Sequence, residues 1–196
     1  MNSIQPFSDY AHRLSGVLAS SDWSKVHVLA GEMRRCWNEK TRVFICGNGG
    51  SAGNAIHLAN DYLYGIAKQN GGGLRVEALS ANPAVITCLA NDIGYDRIYA
   101  EQLAVQGLPG DLLIALSGSG NSPNIVAVLE QARTMGITSC AILGFSGGKS
   151  KELADIVIHF PIDDMQISED MQLIVGHMLM QWLYAQRQQI IGESRY

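Results

Sequence analysis

The first forty residues carry apolar side chains three and four positions apart, which is the spacing of amphipathic helices. The pattern runs from Phe7 to about Lys40, and Ser21-Asp22 interrupts it with residues that suit a helix break and an N-cap. Its apolar positions are Leu14, Leu18, Trp23, Val26, Leu29, Met33 and Trp37. The sequence therefore predicts an N-terminal arm made only of helices.

After Arg42 the pattern changes to short apolar runs, mostly closed by glycine or serine, which are typical of buried strands. Five such runs occur, at 43–46, 74–79, 112–116, 139–143 and 156–160. Helical spacing is found between or after them, at 52–64, 97–106, 123–135 and 168–189. Alternating strands and helices favour a parallel sheet with helices on both faces. We therefore predict an α/β fold, a three-layer αβα sandwich around a five-stranded parallel sheet.

The length of 196 residues suits one domain, since domains commonly hold about 100 to 200 residues. We expect a single domain over 1–196, with a helical arm at 1–40, an α/β core at 41–165 and a C-terminal helix at 166–196. Only 16% of the residues are charged and 47% are hydrophobic, which favours extensive burial in an oligomer. The 21 glycines follow no fibrous repeat, so we expect them in loops with special backbone needs.

Net charge and the length of apolar runs disfavour two classes of partner. The formal net charge is −4 and the basic residues are scattered, so we expect no nucleic-acid partner. Apolar runs such as 112–116 are far shorter than the ~20 residues that cross a bilayer, and MNSIQPFSDY lacks the pattern of a signal peptide. We therefore expect a cytoplasmic protein with no membrane partner.

The four cysteines form no C-x-x-C pair. Cys46, Cys88 and Cys140 lie inside or beside apolar stretches. Buried free thiols are therefore favoured over metal ligands or disulfides.

A glycine-rich loop, Gly47-Asn48-Gly49-Gly50-Ser51, follows the first predicted strand and opens a helix. Free N–H groups and the helix dipole favour an anion at such a place, and the glycines allow close backbone approach. The loop is not a Walker A motif, and it is a poor dinucleotide fingerprint because Ala52 replaces the third glycine. It is a candidate phosphate-binding or sugar-binding loop, and a turn that binds no ligand is the alternative.

A second loop of the same kind, Ser117-Gly118-Ser119-Gly120-Asn121-Ser122-Pro123, follows the third predicted strand. Ser122 suits an N-cap, and Pro123 suits the first helical position. Hydroxyls and free amides meet at one helix start without Lys or Arg, which suits a phosphate monoester held by neutral donors. A serine-rich structural turn is the alternative.

These two loops, together with Leu89-Ala90-Asn91-Asp92-Ile93-Gly94-Tyr95, resemble the sugar isomerase (SIS) domain and, within it, the phosphoheptose isomerase branch. The resemblance runs from about residue 8 to residue 187 and implies a flavodoxin-like fold, a homotetramer and active sites shared between subunits. It also implies that Ser51, Ser117, Ser119 and Ser122 hold the phosphate while Asn48 and Asp92 contact sugar hydroxyls. The full set of expected substrate-binding residues is Asn48, Gly49, Gly50, Ser51, Asp92, Ser117, Gly118, Ser119, Asn121 and Ser122.

Four candidate metal ligands lie on two predicted helices. His57 and Asp61 are spaced i, i+4 and share a face, while Glu169 and His177 lie eight residues apart, about 80° off alignment. Two histidines and two carboxylates would make a four-ligand zinc site. The resemblance implies the same zinc site, although the family has Glu at the position of Asp61 and Gln at the position of Glu169. Histidines that only pack against a neighbouring helix are the alternative.

Two further departures from the family concern the substrate. Gly65 stands where the family usually has an Arg that reaches the substrate. Gly118 stands where the phosphate loop usually has Thr. These changes indicate that substrate specificity differs.

The resemblance implies an aldose–ketose isomerase that converts sedoheptulose 7-phosphate to D-glycero-D-manno-heptose 7-phosphate through an enediol. Such a reaction needs a base, a proton donor to oxygen and an electrophile that stabilises the oxyanion. We assign these roles to Asp61, His177 and zinc, with Glu169 as the alternative base.

Two other functions are considered. A non-catalytic SIS module could bind a sugar phosphate or a protein, as in relatives that associate with the replication initiator. Those relatives lose the helix carboxylate and the last-helix histidine, whereas this sequence keeps Asp61 and His177. An isomerase for a different sugar phosphate is the third hypothesis, motivated by Gly65.

Overall fold

Five parallel strands form one sheet in the part of the chain that this computed structural model describes, residues 4–68 and 72–193 with side chains up to 187. The strands are β1 (Arg42–Gly47), β2 (Arg75–Ala78), β3 (Leu112–Ser117), β4 (Thr138–Leu143) and β5 (Ile156–His159). Their order across the sheet is β2-β1-β3-β4-β5. Each predicted apolar run coincides with a strand, so the predicted parallel α/β sheet is confirmed.

Eight α-helices accompany the sheet within the described ranges. They are α1 (Gln5–Ser20), α2 (Ser24–Glu39), α3 (Gly50–Leu63), α4 (Pro83–Asp92), α5 (Ile98–Gln106), α6 (Pro123–Met135), α7 (Ser150–Leu153) and α8 (Met165–Glu193). The predicted arm and C-terminal helix also included residues 1–3 and 194–196, which lie outside the described residues.

Three helix starts differ from the expectation. The sequence pattern did not predict α4, which begins because the Asn82 side chain accepts hydrogen bonds from the N–H groups of Ala84 and Val85. It also did not predict the four-residue helix α7. The last helix begins at Met165 instead of Ser168, since Asp164 Oδ1 accepts the N–H of Ile167 at 3.1 Å.

Each strand buries side chains on both faces, and this explains why the strand runs are continuously apolar. Val43 and Ile45 of β1 join the core beneath α2, α3 and α8. Phe44 and Cys46, which alternate with them, join the opposite core beneath α5 and α6. The two cores confirm the predicted three-layer sandwich.

The N-terminal arm packs against the layer that contains α8. Trp37 and five other residues of α2 are buried, whereas α1 has no fully buried residue. Side-chain contacts tie α1 to the start of α8, since Tyr10 donates a hydrogen bond to Asp170 and Arg13 pairs with Asp164. The helix break at Ser21-Asp22 is confirmed, because α1 ends at Ser20 and α2 begins at Ser24.

The strand order reverses direction between β1 and β3, which are neighbours in the sheet. In open α/β sheets, ligands bind at such a switch point, outside the carboxyl ends of the strands. The loops that follow β1 and β3 are the two polar loops found in the sequence. The topology therefore brings both candidate loops to one crevice.

All four cysteines are free thiols, as expected, but only three are buried. Cys88 is exposed on α4, with its Sγ 3.5 Å from Asp92 Oδ2, so the expectation of burial was wrong there. The apolar stretch around Cys88 does not indicate burial, because it forms α4, which has no fully buried residue. Among the described helices, none is both long enough and apolar enough to span a bilayer.

Candidate active site

A cavity of about 270 Å³ opens between the loops that follow β1 and β3. Its lining residues come from the two loops, from the end of β3 and from the first turn of α8, and none of these described residues is Lys or Arg. They are Asn48, Gly49, Gly50, Ser51, Leu116, Ser117, Gly118, Ser119, Ser122, Met165 and Glu169. The structure thus brings together eight of the ten predicted substrate-binding residues.

The first loop turns sharply from β1 into α3 because of its glycines. Gly49 has φ +57°, a left-handed conformation that favours glycine. A Cβ at Gly47 would lie 2.7 Å from the backbone of Ser51, so the chain could not turn so tightly with a side chain there. Gly50 and Ser51, the first two residues of α3, line the cavity, and amides at such positions have no intrahelical acceptors, as anion sites require.

The second loop rests on the segment that follows β4. Gly120 has φ +66°, and a Cβ there would clash with the carbonyl of Gly147. The N–H of Gly120 donates to Ser117 Oγ at 3.0 Å. The Ser122 hydroxyl makes no capping hydrogen bond at the start of α6, so it is free to meet a ligand in the cavity.

A chain of amide side chains holds Ser51 at the base of the cavity. Gln172 of α8 donates to Ser51 Oγ at 3.0 Å and accepts from Asn54 at 3.0 Å. Both Ser51 and Gln172 are buried. Sequence reasoning missed Gln172, although its position three residues after Glu169 places it on the same side of the helix.

The carboxylate of Glu169 lies over the start of α3. A Cβ at Gly50 would lie against it, so a side chain there would displace the carboxylate. The carboxylate therefore occupies the positive end of the α3 dipole, beside the space for an anion. Its negative charge lowers the affinity of the cavity for an anion relative to a neutral side chain at this position.

Met165 fills the space left by Gly118. A Cβ at Gly118 would lie 2.7 Å from Met165 Sδ. Met165 consequently lines the cavity beside the second loop. Sequence reasoning missed Met165, because its role depends on the unexpected early start of α8.

Two predicted substrate-binding residues lie outside this cavity lining. The Asn121 side chain accepts the N–H of Lys149 at 3.0 Å and donates to the Ser119 carbonyl at 3.3 Å. Asp92, at the end of α4, accepts hydrogen bonds from Asn91 and Cys88. Contacts of Asn121 and Asp92 with a substrate stay predictions.

A second feature is a cluster of His57, Asp61 and His177. His57 and Asp61 lie one turn apart on α3, and His177 lies on α8. The two imidazole Nε2 atoms lie 3.0 Å apart. Asp61 Oδ2 lies 3.5 Å from His57 Nε2 and 3.7 Å from His177 Nε2. Both histidines are about half exposed, whereas Asp61 is 16% exposed.

The three side chains suit a divalent metal. Ligands of a tetrahedral zinc lie about 3.3 Å apart when the bonds are about 2.0 to 2.1 Å. The three donor atoms lie 3.0 to 3.7 Å apart, close to that spacing. Three protein ligands leave a fourth position open, as in catalytic zinc sites.

The predicted fourth ligand, Glu169, is not part of this cluster. It lies two turns earlier on α8, against Gly50. The structure thus brings together three of the four predicted metal ligands within one chain. Ligation by Glu169 stays a prediction.

The cavity and the cluster lie at two levels of the same helix pair. α3 and α8 run in the same direction, since Ser51 contacts Gln172 and His57 contacts His177 further along both helices. At 1.5 Å per residue, Ser51 at the cavity and His57 in the cluster are separated by about 9 Å along α3. An extended seven-carbon phosphate has a length of roughly 10 Å with bonds of about 1.5 Å, so it can reach from one level to the other.

A family model described as SIS domain matches residues 6–144. A phosphoheptose isomerase of Akkermansia muciniphila is 41% identical over 138 residues, covering 70% of this chain and 72% of the relative. One from Chlorobaculum parvum is 33% identical over 174 residues, covering 88% and 83%. The solved structure of a phosphoheptose isomerase from Francisella tularensis superposes with a TM-score of 0.88 at 25% identity, covering 94% of this chain and 100% of that one.

Proposed function

Since this chain belongs to the SIS domain family and to the phosphoheptose isomerase family, we propose that it interconverts sedoheptulose 7-phosphate and D-glycero-D-manno-heptose 7-phosphate. One observation carries the proposal beyond family membership. A polar cavity at the switch point lies within one substrate length of a His57–Asp61–His177 cluster on the same two helices. A phosphate end and a reacting end can thus be held at once.

The phosphate end of the substrate is held at the two polar loops. Ser51, Ser119 and Ser122 line one cavity together with Gly50, the first residue of α3. Neutral donors at a helix start bind a phosphate through hydrogen bonds and the helix dipole. Asn48 contacts a sugar oxygen at the edge of the same cavity.

Zinc is the proposed cofactor, with one ion for each active site. His57, Asp61 and His177 would hold it through Nε2, Oδ2 and Nε2, which are the atoms that converge. Imidazole and carboxylate are ligands that zinc accepts in catalytic sites. When bound, zinc polarises the substrate oxygens and stabilises negative charge that develops on them.

Asp61 is the proposed base and His177 the proposed acid. Asp61 Oδ2 faces the imidazoles, whereas Oδ1 accepts only a long hydrogen bond, 3.4 Å, from Asn60. Oδ1 can therefore take a proton from C1 of the ketose while His177 donates a proton to O2. In the second step Oδ1, whose proton has exchanged with solvent, donates a proton to C2 while His177 takes the proton from O1. The two steps pass through an enediol and give the aldose.

Glu169 is the alternative base, and one pair of variants separates the two assignments. Activity lost in Asp61→Ala but retained in Glu169→Gln supports Asp61. The reverse result would assign the base to Glu169. The position of Glu169 at the phosphate level favours Asp61.

The proposed activity is tested by incubating the purified protein with sedoheptulose 7-phosphate and a panel of other ketose phosphates, with and without a chelator. We expect the aldose from sedoheptulose 7-phosphate, and its loss with the chelator. Turnover of a different ketose alone would support another phosphosugar isomerase, for which Gly65 is the motivation. No turnover of any compound would support the non-catalytic binding module.

The proposal includes a homotetramer with shared active sites and a cytoplasmic location. Several large apolar side chains on α1, α3 and α8 are more than 40% exposed. Helix α1 belongs to the N-terminal arm, and α3 and α8 contain His57, Asp61 and His177. The exposed apolar side chains include Phe7, Ile56, Leu63 and Tyr184. Burying such side chains against other copies would be favourable. A charged phosphate monoester does not cross a bilayer unaided, which suits a cytoplasmic enzyme.

A further inference from the structure

Two asparagine side chains form a closed pair at the edge of the cavity. Asn48 Nδ2 donates to Asn124 Oδ1 at 2.8 Å, and Asn124 Nδ2 donates to Asn48 Oδ1 at 2.8 Å. Asn48 follows β1, whereas Asn124 lies in the first turn of α6. The pair therefore joins the two loops across the switch point.

Asn124 itself is out of reach of a ligand. It is 1% exposed and is absent from the cavity lining, whereas Asn48 lines the cavity. A buried amide that gains no partner costs free energy, so Asn124 is held to its bonds with Asn48. Asn124 therefore acts on the cavity through Asn48.

A third group completes the network from the solvent side. The Tyr95 hydroxyl donates to Asn48 Oδ1 at 3.2 Å, and Tyr95 is 55% exposed. Asn48 Oδ1 thus accepts two hydrogen bonds, which is the full capacity of a carbonyl oxygen. Asn48 Nδ2 has two N–H groups and uses one of them for Asn124, so the second is left for a ligand.

We propose that Asn124 is a positioning residue that fixes the Asn48 amide so that it presents an N–H donor, and no acceptor, to the substrate. The inference rests on the proposed function. A fixed donor suits a hydroxyl or phosphate oxygen with a free lone pair and disfavours an ammonium group, which has none.

A double-mutant cycle tests the proposal in the full-length protein. The variants are Asn48→Ala, Asn124→Leu and the double variant, and calorimetry measures their binding of sedoheptulose 7-phosphate and of inorganic phosphate. We expect Asn124→Leu to weaken sedoheptulose 7-phosphate binding about tenfold, the effect of one lost hydrogen bond. In the Asn48→Ala background, Asn124→Leu should have no further effect.

Tyr95→Phe gives a second test from the exposed side, where folding is not in doubt. It keeps the ring, removes one hydrogen bond to Asn48 and should weaken binding about threefold. The KM of the isomerisation should rise in Asn124→Leu and in Tyr95→Phe, while kcat changes less in each. Thermal unfolding identifies any variant whose binding is lost through misfolding.

The outcomes separate this inference from the proposed function. Wild-type protein that binds neither probe overturns both. Wild-type binding with unchanged binding in Asn124→Leu and Tyr95→Phe overturns only the positioning role of Asn124. An equal loss caused by Asn124→Leu in the wild-type and Asn48→Ala backgrounds would show that Asn124 does not act through Asn48.

Discussion

Gly118 and Met165 share one volume at the wall of the cavity between the two loops. A Thr at position 118 would place its Cβ 2.7 Å from Met165 Sδ. We expect Gly118→Thr to lower affinity for the sugar phosphate, because overpacking displaces Met165 or the loop. The KM for sedoheptulose 7-phosphate measures this effect.

Met165→Ala provides the matched control for that substitution. In a Met165→Ala background the space is open, so Gly118→Thr should be tolerated and its hydroxyl should restore binding. If Gly118→Thr is equally harmful with and without Met165, the clash with the thioether is not the cause.

Glu169 places a negative charge beside the proposed phosphate site, against the start of α3. We expect Glu169→Gln to lower the KM for a phosphorylated substrate severalfold, since it removes like-charge repulsion. The difference from wild type should shrink at high salt if exposed charge dominates. Steady-state kinetics at two salt concentrations measure it, and abolished kcat in Glu169→Gln would instead make Glu169 the base.

Individual site residues differ in how far the sequence reveals them. Ser51 and Ser122 are predictable, because glycine and proline beside them mark strand-to-helix turns with free donors. Asn124 and Gln172 are not, since their roles depend on side chains more than seventy positions away. The sequence identifies Glu169 as a candidate site residue, but it does not predict that the carboxylate lies against Gly50.

At the scale of elements, the contact between α3 and α8 sets the geometry of the His57–Asp61–His177 cluster. A Cβ at Gly176 would clash with Leu58. Gly176 directly precedes His177 on α8, and Leu58 directly follows His57 on α3. We expect Gly176→Ala to destabilise the fold by about 1–3 kcal/mol through overpacking and to separate His57 from His177. Urea unfolding and zinc titration measure the two effects.

Gly53→Ala on α3 is the control, because a Cβ there meets no atom within 4 Å. It should stabilise the helix by roughly 0.5–1 kcal/mol and leave zinc binding unchanged. Zinc affinity that is equal in Gly176→Ala and Gly53→Ala would show that helix spacing does not control the cluster.

The start of α8 also predicts a pH dependence. The N–H of Ile167 and the Arg13 guanidinium hold the pKa of Asp164 below its usual value. A lowered pKa in the folded state gives stability that is present above the unfolded pKa and is lost as pH falls through the folded pKa. We expect the stability difference between wild type and Asp164→Asn to shrink between about pH 5 and pH 2.

Urea unfolding of both proteins across that range checks the prediction. Other carboxyl groups titrate in both proteins alike, so the difference isolates Asp164. A difference that stays constant down to the lowest pH would show that the Asp164 charge does not contribute.

The strands were predictable as elements because parallel strands buried on both faces read as continuous apolar runs. In β1, Val43 and Ile45 pack into one core, whereas Phe44 and Cys46 pack into the other. The strand therefore has no polar face. Helix α4 was not predictable from periodicity, because no residue of it is fully buried. Its Asn82-Pro83 start was visible, but capping alone does not establish a helix.

At the scale of the whole molecule, a single chain exposes large apolar side chains on α1, α3 and α8. We expect a tetramer of the 21.2 kDa chain in solution, because assembly would cover this apolar surface. Light scattering measures the mass. A monomer at micromolar concentration would contradict the shared active sites.

The central claim is that the two loops and the His57–Asp61–His177 cluster perform an isomerisation through an enediol. Reaction of sedoheptulose 7-phosphate in deuterium oxide tests it most directly. We predict that wild-type protein forms the aldose with carbon-bound deuterium from the solvent, and that Asp61→Ala forms neither. An aldose without deuterium, deuterated aldose from Asp61→Ala, or no aldose from wild-type protein would contradict the claim.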